Sequence, residues 1–61
     1  MTREEENKLI DLIEAFGEWR REEGECERAG NPIGQSEAYT AAETHLDMIR
    51  KHLRHVGRKE L

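Results

Sequence analysis

Trp19, Arg20 and Arg21 set an indole ring beside two guanidinium groups. A flat ring can stack on a base at ~1–3 kcal/mol per base, and a guanidinium fork matches phosphate oxygens two at a time. Tyr39 offers a second ring, with a hydroxyl able to reach water. These four residues form a candidate site for a nucleotide-like anion. The competing reading is core, because Trp19 also continues an apolar stripe. Arg50 heads a basic cluster with Lys51, Arg54 and Arg58. It suits an anionic ligand, but the favoured role is complementing the helix dipole and pairing with Glu5, Asp11 and Glu14.

Other chemistries find less support. His45 and His52 share a helix face but sit ~10.5 Å apart along it, too far to share a metal ion. His52 and His55 are closer, yet no third ligand stands at a tetrahedral spacing. Cys26 with a histidine would be a minimal nucleophile pair, but the histidines fall on other turns or at the opposite end. There is no serine triad, phosphate-binding glycine loop or cofactor motif. The expectation is a protein that binds without catalysing, with no cofactor and no metal.

Composition narrows the partners. Charged residues are 39% of the 61, and the net charge is −4. Residues 1–27 carry four Lys/Arg against ten Asp/Glu, and residues 28–61 six against four. Nonspecific DNA binding needs a basic footprint that so acidic a chain lacks. A lone cysteine excludes an intrachain disulfide and points to a reducing, cytoplasmic setting. No apolar run is long enough for a membrane span or signal peptide. A chain of this size buries only about 60% of its surface. Self-association is the remaining remedy.

The elements that position these residues are two helices. Thr2 followed by Glu5 fits a capping box, with Glu4, Glu5 and Glu6 at the positive end of the dipole. Leu9, Leu12, Ile13, Phe16 and Trp19 then recur every three or four residues. The pattern predicts helix over about 3–29, loop over 30–35, helix over about 37–56 and a frayed tail over 57–61, all one hairpin domain. Gly30 suits a left-handed C-cap, Pro32 interrupts the helix, and Ser36 caps the next. Tyr39, Ala42, Leu46, Ile49, Leu53 and Val56 form a heptad seam. With the fold centred near Pro32–Ile33, Val56 meets Leu9, Leu53 meets Leu12, Ile49 meets Phe16 and Leu46 meets Trp19. Ile10, Ile13, Ala38 and Met48 widen the apolar face beyond one partner helix. The expected fold class is therefore all-α: an antiparallel two-helix hairpin assembling into a homo-oligomeric bundle.

The step Ala42-Glu43-Thr44-His45-Leu46, with the first-helix run Glu6 to Gly17, resembles the hairpin domain of phage proteins that sequester cyclic-nucleotide immune signals. These are the anti-CBASS and anti-Thoeris sponge proteins. The resemblance covers about half the chain and implies a compact oligomer holding a cyclic oligonucleotide between subunits, with Thr44 and His45 as candidate contacts. Apart from that resemblance, a homodimeric four-helix bundle that contacts a protein or RNA partner fits the residues.

Overall fold

A computed structural model describes residues 1–60. Helix α1 runs Arg3–Ala29 and helix α2 Pro32–Glu60, with no strand among the described residues. The two lie side by side as a single-layer slab, 47 × 16 × 10 Å. Among the described residues no helix is long and apolar enough to cross a membrane.

The start of α1 follows from its first residues. The Glu5 backbone N–H donates to Thr2 Oγ1 at 3.1 Å, and the Thr2 N–H donates to Glu5 Oε1 at 2.8 Å. Both halves of the expected capping box form, satisfying two otherwise orphaned donors. At the far end Gly30 takes φ 71, ψ 34, where a side chain would be strained. Its N–H donates to the Glu27 carbonyl and that of Asn31 to the Cys26 carbonyl. This is a Schellman ending.

The connection is shorter than the sequence suggests. The expected loop over 30–35 reduces to Gly30 and Asn31, and helix begins at Pro32 instead of about 37. Asn31 Oδ1 accepts from the Gly34 N–H at 3.1 Å, so Asn31 is the N-cap in place of Ser36. Pro32 occupies the first helical position, where its missing N–H costs nothing and its fixed φ favours helix. The Ser36 carbonyl instead accepts the Thr40 hydroxyl within the helix. At the other end Gly57 does not stop α2. The expected tail over 57–61 is helical through Glu60, and Leu61 lies outside the described residues.

Two corrections to the packing follow. The turn centres two residues earlier than expected, so each α1 position faces a residue about four earlier in α2, one helical turn. Arg20, for example, meets Tyr39 and Glu43. The seam is also rotated. Ala38, Ala42, His52 and Val56 are buried, whereas Tyr39 and Leu53 are exposed. In a two-helix layer only the contact line is covered, and close approach there favours small side chains. The larger Leu9, Leu12, Phe16, Leu46 and Ile49 straddle that line half-buried. No large side chain among the described residues is fully buried.

Gly34 shows how close the helices come. A Cβ there would lie 2.6 Å from Asn31 Nδ2 and 2.9 Å from Cys26 Sγ, while one at Gly17 or Gly57 would meet nothing. Gly57→Ala should therefore gain about 0.5–1 kcal/mol from reduced unfolded-state entropy. Gly34→Ala should lose a net 1–2 kcal/mol or so, because overpacking and disturbance of the cap outweigh that gain. Urea titrations of both variants check this; a stabilised Gly34→Ala would contradict the close approach.

Candidate ligand-binding surfaces

Residues seven apart on a helix share a face. On α1, Ile13 therefore lies with Arg20, and Leu12 with Trp19. On α2, Tyr39 lies with Leu46 and Leu53. The Arg20 guanidinium sits over the Tyr39 ring, 5.7 Å from its centroid, and over Phe16 at 5.3 Å. One broad face of the slab thus carries Ile13, Arg20, Tyr39 and Leu53, and Trp19 belongs to the other.

The seven candidate ligand residues consequently do not converge within one chain. Arg20 and Tyr39 meet. Arg20 also bonds Glu23 at 3.0 Å and Glu43 at 3.2 Å, so two carboxylates already balance its charge. Trp19 stands beside a shallow depression of about 330 Å³ shared with Glu18 and Glu22, a setting that repels anions. Arg21 is exposed next to it in sequence. The Thr44 hydroxyl donates to the Thr40 carbonyl at 2.9 Å. His45 Nδ1 lies 2.8 Å from the Ala41 carbonyl. A carbonyl only accepts, so Nδ1 carries the proton.

Arg50 is exposed and, like Arg54, makes no ion pair with Glu5, Asp11 or Glu14 among the described residues. The expected pairing of the cluster with α1 does not form among the described residues; Lys59, outside the cluster, takes that place, its Nζ donating to Glu5 Oε2 at 3.1 Å. Lys51 turns along its own helix to Asp47 at 2.9 Å. The cations remain electrostatically active: the Lys51 bond, with the charges of Lys51, Arg50 and Arg54, holds the Asp47 carboxyl below its ordinary range.

The larger depression lies on the Leu12 face. A groove of about 410 Å³ is lined by Lys8, Leu12, Met48, Lys51, His52 and His55. His52 is buried, and its Nε2 donates to the Glu5 carbonyl of α1 at 2.8 Å. That bond makes His52 part of the seam, which the pattern of Tyr39, Ala42, Leu46, Ile49, Leu53 and Val56 leaves out. Its signal was present: 45, 49, 52 and 56 follow the heptad steps as well as 46, 49, 53 and 56 do. Lys8 and Met48 had no such signal, because only the register brings them together.

No cluster of three or more metal-ligating side chains occurs among the described residues. Cys26 is buried near the turn. Burial first, then the charge of Glu22 and the 3.9 Å contact to its carboxylate, raise the thiol pKa and favour the un-nucleophilic form. Comparisons with protein-family models, curated proteins and solved structures find no match to this chain, so the reading of these surfaces rests on their geometry.

Glu5 gives the site end of the hairpin a pH dependence. The Thr2 backbone bond first, then the Lys59 bond, hold its carboxyl down at about 2 from an ordinary 4.5. A depressed carboxylate stabilises the fold above the unfolded-state value, and that contribution fades as pH falls from about 4.5 toward 2. The melting-temperature gap between parent and Glu5→Gln should therefore be wide at about pH 6 and close at about pH 2. A gap independent of pH would show that the ionised carboxylate contributes nothing.

Proposed function

We propose that this chain is a non-catalytic interaction protein whose working form is a dimer of hairpins, a four-helix bundle joined through the Ile13–Tyr39–Leu53 face. One observation carries the reading: Ile13, Tyr39 and Leu53 are each 46–51% exposed on one face, and no large side chain among the described residues is fully buried. Monomeric proteins rarely leave contiguous apolar patches larger than a few hundred Å². The whole broad face, Arg20 and its carboxylate partners included, spans 47 by 16 Å, roughly 750 Å², the scale of the ~800 Å² per partner that stable interfaces cover. Pairing two layers gives each half-covered side chain a second wall. It also supplies the core that a 61-residue chain lacks by itself.

Equilibrium sedimentation tests this. The parent should run at twice 7.2 kDa at micromolar concentration, and Ile13→Glu/Leu53→Glu should run as the single chain with reduced helical signal. A folded parent monomer would overturn the proposal.

A second reading, sequestration of a cyclic oligonucleotide between subunits, is favoured by the continued exposure of Trp19 (38%) and Tyr39. Because these rings lie on opposite faces, two copies would have to supply the two stacking surfaces. Calorimetry with a panel of cyclic di- and trinucleotides should then detect binding that Arg20→Ala/Arg21→Ala weakens. Absence of binding by the parent across the panel removes this reading and leaves the first.

A further inference from the structure

The groove on the Leu12 face is not used by the proposed dimer, and its lining is unusual for so acidic a chain. Lys8 approaches from α1, and Lys51 and His55 from α2. The floor is Leu12 and Met48, an isoleucine-free apolar strip with an adaptable thioether. No carboxylate is among the lining residues. A cation would therefore find no partner. A bare inorganic anion would leave the apolar floor wet. A metal ion would lack a third ligand. What remains is a molecule with a negative head and an apolar body.

We propose that this groove binds a carboxylate carried on an unbranched hydrocarbon chain, its head between Lys8 and Lys51 and its tail along Leu12 and Met48. The volume of about 410 Å³ is within the range of small-molecule sites. Lys8 makes no ion pair among the described residues, so its ammonium is available. Lys51 must leave Asp47, but both side chains of that pair are mostly exposed. Such pairs are worth little, so exchange of one carboxylate for another is easy. Arg50 and Arg54 also stabilise the Asp47 anion, which is therefore not left without cations when Lys51 turns away. His52 is held by its bond to the Glu5 carbonyl and forms a fixed wall between the helices.

The chain has two methionines, so methyl-labelled protein reports separately on Met48 and Met1. Decanoate, kept below its micelle concentration, should shift the Met48 methyl resonance saturably and leave Met1 unmoved. Lys8→Ala/Lys51→Ala, both exposed positions, should keep the helical signal and weaken binding at least about tenfold, the effect of losing one charge-assisted hydrogen bond. Acetate, which has the head without the tail, and decanol, which has the tail without the head, should each bind at least about tenfold more weakly than decanoate. The proposal fails if Met48 shows no saturable shift, if Met1 moves in parallel, or if the double variant binds as well as the parent. It fails equally if acetate matches decanoate, since the apolar floor would then contribute nothing.

Discussion

Asn31 closes one helix and opens the next, and every contact between the helices inherits its position. Its N–H donates back to the Cys26 carbonyl at 2.8 Å, completing the ending of α1. Its Oδ1 accepts from the Gly34 N–H, starting α2. One residue thus satisfies orphaned groups at both helix ends, which is why two residues suffice where six were expected. The flanking residues enforce the same geometry: Gly30 tolerates positive φ, and Pro32 is already set for the first helical turn. A turn this tight fixes both register and spacing. It brings Gly34 against Cys26, Arg20 onto Tyr39 and Glu43, and His52 onto the Glu5 carbonyl.

The second constraint is thinness. A slab 10 Å deep has two faces and almost no interior. Only residues on the contact line are fully covered, and those are alanines, a cysteine, a valine and a histidine. Apolar area outside that line is shared between two faces instead of being pooled in a core. The two faces differ in chemistry. One carries Ile13, Leu46, Leu53 and Tyr39, with its cation Arg20 neutralised by Glu23 and Glu43. The other carries Leu12 and Met48 among lysines and histidines whose carboxylate contacts are few. The first is suited to burial against another protein surface, since it brings little uncompensated charge to the interface.

This division explains which features were legible in the sequence. The capping box at Thr2 and Glu5, the helix pair and the glycine ending at Gly30 depend on neighbours in the chain, and each formed as expected. Asn31 was legible in principle: an Asn before Pro is both a turn former and a good N-cap, and reading Pro32 only as a breaker hid the second role. The seam was harder. Tyr39 and Leu53 are larger and more apolar than Ala38 and His52, so a pattern that ranks positions by hydrophobicity puts them inside. That ranking assumes a core deep enough to hold them. In a single layer the close contact line selects for small size, and the ranking inverts. The groove was beyond reach for a third reason: it needs residues 8 and 12 opposite 48 to 55, and a one-turn error in register separates them.

Charge placement links these points. The acidic start of α1 and the basic end of α2 lie side by side, and Lys59 bridges them by a direct bond to Glu5. Had Arg50, Lys51 and Arg54 paired with α1 as well, the basic end would be spent on holding the hairpin together. Instead Lys51 and its neighbours act on Asp47, on their own helix and mostly exposed. Such a pair contributes little to stability, so the charge of Lys51, unlike that of Lys59, does not tie the two helices together. The net charge of −4 is no obstacle to an anion there. Over a screening length of about 8 Å at physiological salt, the nearest charges dominate, and the charged side chains lining the groove are Lys8 and Lys51, with Asp47 beside Lys51 and Glu5 behind His52. Lys8, without an ion pair among the described residues, and Lys51, held only by an exposed pair along its own helix, are cations whose re-engagement costs the fold little.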